Sequence, residues 1–375
     1  MINHSERLHA KLSASSSSRW LNCPGSVKLE EKYPDFTSDF AEEGTLAHEL
    51  ADICLKNEEN ADKYINKKIT DKIITEEMAN YVQVYIDYIR AFESYSSMLL
   101  TEERVDFSNT VPSGFGTVDC AIINEENHTL HIFDLKYGKG VLVDAENNTQ
   151  AQLYALGLIN ELKFLYDIKD IIIHIIQPRI SNFSKWGISI KQLNEFAKYA
   201  SKQADLALSD NAPFNPGEKQ CRWCKAKADC KVLFNFTNDI VKNQFDDIDS
   251  TKTTDEQKRS ILDNKKLIEL YIKSIEEYVY NKLQKGEKFK GYKFVQGRSN
   301  RKWAEDAEEF LLKKLGEDAY NKKLISITEA EKKISKDEIK SLTLKPRGKL
   351  TVVQSSDKRK EIKVDKIENE FEQLT

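Results

Sequence analysis

The chain has 375 residues, 40% hydrophobic and 31% charged, with a net charge of −4. That length points to two domains, or to one domain with a large extension, and the composition suits a packed core beneath a charged surface. No stretch approaches the ~20 apolar residues that span a bilayer as a helix, and the N-terminus lacks the apolar centre of a signal peptide, so no membrane partner and a cytoplasmic location are expected.

In chain order, residues 13–18 read SASSSS, a turn-rich stretch before Arg19, Trp20 and Leu21. Residues 41–57 carry Ala, Leu and Ile at helical spacing. Thr75 is placed to cap a helix running to about Ser96, with Glu76 and Glu77 in its first turn. The period then changes. Leu99 to Phe107, Phe115 to Asn124 and Thr129 to Tyr137 read as strands, the last two joined by a short connection at 125–128. Asn148 to Leu162 returns to helical spacing, Ile168 to Gln177 is a buried strand, and Ile190 to Ser209 is helical. The expected class is α/β, a mixed central sheet flanked by helices. Residues 210–235 read as loop. Thr254 to Gln284 reads as one long charged helix, followed by helices near 303–315 and 327–342 and a polar tail. Domains are expected at 1–235 and 236–375, the second mainly helical with part of its tail disordered.

Asp134-Leu135-Lys136 lies on a predicted strand, where alternation puts Asp134 and Lys136 on one face. Asp119 ends the preceding strand, and the hairpin can bring it beside Asp134. Two close carboxylates repel, and a divalent cation is the usual remedy. Such a cation suits phosphodiester hydrolysis, because it polarises a phosphate and acidifies a bound water. The lysine can position that water or stabilise phosphoryl charge. Taken alone, the tripeptide reads as a surface ion pair. Its neighbours add weight. His48 sits one helical turn after Gly44, which would allow close backbone approach, and Asp52 at i+4 could orient its ring. Gln150 and Tyr154 lie one turn apart on the helix after the strand. Gly114 and Gly116 leave backbone room before Asp119.

Six cysteines are present. Cys221, Cys224 and Cys230 form a C-x₂-C-x₅-C run, and Cys23 stands apart near the N-terminus. Four thiolates can hold a tetrahedral Zn²⁺ or an iron–sulfur cluster, and the spacing fits both. Cys54 and Cys120 lie among apolar residues and read as core thiols. His4, His9, His128, His131 and His174 are expected to have no role beyond surface polarity or a satisfied core position.

Taken together, Gly44/His48, Gly116/Asp119, Asp134/Lys136 and Gln150/Tyr154 resemble the motif order of the RecB-type branch of the PD-(D/E)XK nucleases, over roughly residues 10–235. The superfamily's proline is absent, since Val118 precedes Asp119. The resemblance implies that His48, Asp119, Asp134 and the Leu135 carbonyl hold Mg²⁺ or Mn²⁺. It makes Lys136 the catalytic lysine, with Gln150 and Tyr154 contacting DNA or steadying the site. One cysteine before the core and three after it resemble the iron–sulfur nucleases of the AddB type and the related CRISPR-associated nucleases. That implies a [4Fe–4S] cluster on Cys23, Cys221, Cys224 and Cys230, with Zn²⁺ as the alternative. The whole chain is also similar to a family common in phages and prophages. This implies a bacterial host cell, a place in DNA replication or recombination, and a single-strand-binding or annealing protein or a helicase as partner.

Asn281 to Trp303 holds eight basic residues against one acid, with aromatics among them. Lys288, Lys290, Lys293, Arg298 and Arg301 could track a DNA backbone; a solvated surface is the plain alternative. The expectation is a Mg²⁺/Mn²⁺-dependent DNA nuclease, an exonuclease by family likeness. A non-catalytic DNA-binding scaffold and a zinc-stabilised structural protein are its rivals.

Overall fold

The computed structural model describes residues 10–34, 39–242 and 254–295, with the single position 313. Two short helices come first, α1 (Ser17–Trp20) and α2 (Ser26–Glu30), then α3 (Asp39–Lys56). A two-residue ladder, β1 (Lys68–Ile69) with β2 (Lys72–Ile73), precedes α4 (Glu76–Arg90). Next come β3 (Ser97–Asp106), β4 (Phe115–Asn124), β5 (Thr129–Leu135), α5 (Thr149–Leu162), β6 (Asp170–Gln177), β7 (Asn182–Ser189) and α6 (Ile190–Leu208). Helices α7 (Glu218–Arg222), α8 (Lys231–Lys242) and α9 (Asp255–Gln284) follow.

The fold is mixed α/β, as the alternation of periods predicts. Five strands form one sheet in chain order, β3-β4-β5-β6-β7. β5 and β6 are parallel, joined through α5; the other pairs are antiparallel. Every residue of β5 is buried, as befits the central strand. β6 carries isoleucine on both faces because both are covered. One face packs under α1, α5 and α6, through residues such as Trp20, Leu153, Leu158 and Leu193. The other packs under α3 and α4, through Leu50, Val82, Ile86 and Ile89. Each fully buried aliphatic side chain there contributes about 1.5–3 kcal/mol.

Local chemistry sets the helix starts. The Thr75 hydroxyl accepts from the Met78 amide at 3.1 Å. The Asn148 side chain accepts from the Ala151 amide at 3.0 Å. Ser189 and Gln192 form a reciprocal capping box before α6. β7 was not expected from the sequence. It is an edge strand on which exposed residues, Phe183 among them, alternate with half-buried ones that include the polar Asn182 and Ser184, so it carries little of the apolar pattern that marks the inner strands.

The chain divides into two compact units, Met1–Gln284 and Lys285–Thr375. α8 and α9 thus belong to the first unit, and the boundary expected after residue 235 lies within it. The reason is a small core shared by Cys221, Leu233, Leu267 and Tyr271. In the second unit, Tyr292 N–H closes a turn onto the Phe289 carbonyl at 3.1 Å, with Gly291 at φ +86°. Lys288, Lys290 and Lys293 are exposed around that turn. Arg298 and Arg301, the helices expected near 303–315 and 327–342, and the tail lie outside the described residues, apart from position 313. Among the described residues no helix is long and apolar enough to cross a membrane.

Candidate active site

β4 and β5 pair from Asn124 opposite Thr129 to Cys120 opposite Phe133, and the ladder stops there. The next positions in register are Asp119 and Asp134, so both acids stand where two inner strands part. With the ladder ended, the Leu135 amide donates to Asp119 Oδ2 at 2.8 Å instead of to backbone. Leu135 thus meets the site through its N–H.

His48 arrives from α3. Its Nδ1 lies 3.4 Å from Asp119 Oδ2 and 3.9 Å from Glu102 Oε1. Glu102 was not anticipated. Thr101 pairs with Cys120 and Glu103 with Val118, which puts Glu102 across from Asp119. Its φ is +47°. A left-handed non-glycine residue costs on the order of 1–3 kcal/mol and persists only where its surroundings enforce it. The register is the same on both sides, so the kink re-aims a residue without inserting one. His48, Glu102 and Asp119 each bring a ligand atom within 4.8 Å of the others. The tandem acids Glu102-Glu103, in a strand otherwise apolar at its start, were the available sequence signal.

Asp134 is 2% exposed and is held by Lys136, whose Nζ lies 3.0 Å from Oδ1 and 2.8 Å from Oδ2. The contact to Oδ2 lacks hydrogen-bond geometry, which leaves that buried oxygen without a hydrogen bond. Lys136 Nζ also donates to Gln150 Oε1 at 3.0 Å, and Gln150 Nε2 donates to the Tyr154 hydroxyl at 3.0 Å. The structure therefore brings together His48, Asp119, Asp134, Leu135, Lys136, Gln150 and Tyr154, with Glu102 added.

The charges sort themselves. Burial disfavours a charged His48, but Asp119, helped by Asp134, overrides it and pushes the imidazole up to about 9. Burial, with Asp119 nearby, pushes Glu102 up to about 7. Burial works against an ionised Asp119 too, yet His48, Lys136 and the Leu135 amide hold it below the ordinary carboxylate range. Asp134 is raised, because burial outweighs the help from Lys136. Lys136 is raised despite burial, because Asp134 and Asp119 favour its charge. A site that gathers carboxylates and holds protons to offset them suits a divalent cation, which would displace those protons. The buried Asp134 Oδ2, with no hydrogen bond, fits the same conclusion.

Two expectations around His48 need correction. A Cβ on Gly44 would meet nothing within 4 Å, so close approach is not what requires glycine there. Asp52 is held by Lys56 at 2.9 Å, while His48 Nδ1 faces Asp119 and Glu102. The other two glycines do make room, but for rings. A Cβ on Gly114 would fall against Phe107, and one on Gly116 would lie 2.7 Å from Tyr154 Cε1.

The four cysteines meet around one small cavity of about 20 Å³. Cys23 is carried there by the α1–α2 segment, which is stitched onto the 213–225 loop. Gly25 N–H donates to the Pro213 carbonyl at 2.9 Å, Asn215 Nδ2 to the Asn22 carbonyl at 3.1 Å, and the Lys225 amide to Glu30 at 2.7 Å. Three sulfurs face backbone donors: Asn215 N to Cys23 at 3.3 Å, Gly217 N to Cys221 at 3.4 Å, and Leu233 N to Cys230 at 3.5 Å. Burial pushes the thiols of Cys23 and Cys221 up, and Cys224 up to about 12. Converging sulfurs with amide donors fit a thiolate-bound metal or cluster, whose positive charge reverses that burial effect. Cys54 and Cys120 are buried free thiols in the core beneath α3 and α4.

The sequence matches one family over residues 9–360, nearly its whole length. The chain belongs to the DUF2800 family. That family is described as "Protein of unknown function (DUF2800)". The DUF2800 match spans both the acid–lysine cluster and the four cysteines. Among solved structures, the chain is similar to one titled "Crystal structure of SSO0001", at 13% identity, covering 61% of this chain and 90% of that one. The TM-score is 0.28, and a likeness that low carries no argument.

Proposed function

We propose that this chain is a Mg²⁺- or Mn²⁺-dependent DNA nuclease with a PD-(D/E)XK core. What supports this above all is the placement of Asp119 and Asp134 at the parting of β4 and β5, with Lys136 just past the end of β5 and held by Asp134 and Gln150. His48, Glu102, Asp119 and Asp134 offer the hard oxygen and imidazole donors that such a cation takes. When bound, it supplies Lewis-acid polarisation of the phosphate and a more acidic water. The chain's own residues do the rest. Asp119 and Asp134 hold the reacting phosphate's surroundings in a fixed geometry. Lys136 presents an ammonium to charge that builds on the phosphoryl oxygens. We further propose a [4Fe–4S] cluster on Cys23, Cys221, Cys224 and Cys230 that ties the N-terminal segment to the 221–230 loop, with Zn²⁺ as the alternative occupant. Exonuclease action, a role in phage DNA replication or recombination, and a single-strand-binding or annealing protein or a helicase as partner are carried by the family resemblance alone.

The test is cleavage of end-labelled linear and circular DNA, single- and double-stranded, by protein purified without oxygen. Cleavage that requires Mn²⁺ or Mg²⁺ and is lost in Asp119→Ala and Lys136→Ala supports the reading; sparing of circles makes it an exonuclease. No cleavage of any substrate by cluster-loaded protein sinks the enzyme reading in favour of a DNA-binding scaffold. Brown colour with absorption near ~400 nm separates the cluster from colourless d¹⁰ zinc.

A further inference from the structure

We infer that Arg104, stacked on Phe115 beside the acid cluster, binds a phosphate of the DNA strand next to the one that is cut, with the Thr117 hydroxyl as a second donor. The inference rests on the nuclease reading for the identity of that anion but not for its geometry.

Strand alternation places these residues. Gly116 backs onto Tyr154, and Val105 backs onto Gly157 of α5. Arg104 and Thr117 are their neighbours and pair with each other across β3 and β4, so both stand on the opposite face of the sheet. That is the face α3 covers farther along, and from it His48 reaches Glu102 and Asp119. Arg104 lies two residues from Glu102, and Thr117 two residues from Asp119. At the rise of a strand, the pair therefore sits about 7 Å from the acids. Both side chains are exposed there.

Arg104 carries a charge that the fold does not use. Its guanidinium carbon lies 4.3 Å from the centre of the Phe115 ring. Phe115 is its diagonal neighbour across the strands, within reach of a long side chain. Among the described residues, Arg19, Arg179, Arg222 and Arg259 each lie on a carboxylate, and Arg90 lies on the oxygens of Asn60 and Glu59. Of the described arginines, Arg104 alone has no oxygen partner, although Glu103 is next to it in sequence. Nor does the Thr117 hydroxyl have a hydrogen bond among the described residues. Stacking engages the flat face of a guanidinium and leaves its N–H edge open, and that edge matches two phosphate oxygens. The ring also fixes the side chain in advance, so less rotamer freedom is lost when the anion arrives. A DNA strand brings a negative charge at every phosphate toward Glu102, Asp119 and Asp134. The proposed divalent cation offsets these at the cut phosphate. The neighbouring phosphate needs a positive partner of its own, and Arg104 stands where one is required.

Binding tests this in the full chain. Affinity for fluorescent single- and double-stranded oligonucleotides is measured with Mn²⁺ across about 50–200 mM KCl, in the Lys136→Ala background so that cutting is slow. Arg104→Ala should lower the slope of log affinity against log salt by about 0.7–0.9, the signature of one lost phosphate contact. It should also weaken binding about tenfold or more. Arg104→Lys should keep the slope and recover part of the affinity. Phe115→Leu should keep the slope and weaken binding about threefold, because the charge stays and its platform goes. With Lys136 restored, Arg104→Ala should raise KM about tenfold and leave kcat within about threefold. An unchanged slope and KM in Arg104→Ala, with the wild type cutting DNA, overturns the phosphate site and leaves the nuclease reading standing. The slope change without cleavage by the wild type refutes the nuclease reading and leaves Arg104 a phosphate contact of a DNA-binding scaffold. A wild type that binds no DNA overturns both.

Discussion

Acidification should weaken this fold through one pair of rings. His131 on β5 and His174 on β6 are 7% and 0% exposed. Tyr88 OH lies 3.0 Å from His174 Nδ1, and His174 Nε2 lies 3.1 Å from His131 Nδ1. Phe92 and Phe133 pack against both imidazoles. Burial, with Lys185 close by, lowers His131 from 6.5 to about 4. Burial, then His131 and Lys185, lowers His174 to about 3. Both rings are therefore neutral in the fold at neutral pH. Below 6.5 the unfolded chain takes up protons that the folded chain refuses, so stability falls as pH drops. At pH 5 each ring costs about 2 kcal/mol, and the pair about 3–4 kcal/mol relative to pH 7.

Urea unfolding followed by tryptophan fluorescence at pH 7, 6 and 5 measures this. Glu102 and His48 titrate over the same range with other signs, so the comparison is with a His131→Phe/His174→Phe variant that keeps them. The wild type should lose about 3–4 kcal/mol more than the variant between pH 7 and pH 5. Parallel pH curves for the two proteins would falsify the account, because they would mean the rings accept protons inside the fold.

The active site yields three further expectations. Lys136→Ala should lower kcat for DNA cleavage by about 10²–10³, the scale for removing one preorganised stabiliser of developing charge, with circular dichroism unchanged. Metal binding should release protons at pH 7, because His48 is held near 9 and Glu102 near 7 until a cation replaces their protons; titration calorimetry in buffers of different ionisation enthalpy should count more than one proton, falling toward none above pH 9. Glu102→Gln should weaken Mn²⁺ binding about tenfold or more and lower that count, and unchanged affinity would remove Glu102 from the ligand set. With the proposed cluster at the four cysteines, Cys230→Ala should abolish the ~400 nm absorption and lower the unfolding midpoint, since a link from Cys23 would close a loop of roughly 200 residues worth about 5 kcal/mol of chain entropy. Absorption that persists in Cys230→Ala would show that Cys230 is not a ligand.

What was legible in the sequence was whatever repeats with the period of its element. β4, β5 and β6 are read from apolar runs, α4 from Thr75 and its two acids, and α5 from Asn148 and its apolar face. The paired acids, the lysine, Gln150 and Tyr154 were legible because each sits at a fixed spacing on one of those elements. β7 escaped because an edge strand needs only half of the pattern. Glu102 escaped for a different reason. Its part depends on a left-handed backbone at one residue, and on β3 lying beside β4 in a register that no local pattern in β3 encodes. The same holds for α9, whose Leu267 and Tyr271 close over Cys221 although nothing in a charged 30-residue helix announces that contact.

These omissions share a physical origin that bears on the site itself. Inner strands bury their acids at a cost, and the sheet meets that cost only where its ladder ends. At Asp119 the backbone partner has gone and the Leu135 amide is free to turn to the carboxylate. Across β4, the kink at Glu102 swings a second carboxylate toward the same point, at a backbone cost on the order of 1–3 kcal/mol. The kink inserts no residue, so the β3–β4 register that sets Glu102 across from Asp119 survives it. If a bound cation is what holds Glu102 in that conformation, replacing it with glycine should leave the metal-free fold as stable or slightly more so while weakening the metal complex. A Glu102→Gly variant that loses stability without metal and keeps full Mn²⁺ affinity would instead make the kink a feature of the sheet alone.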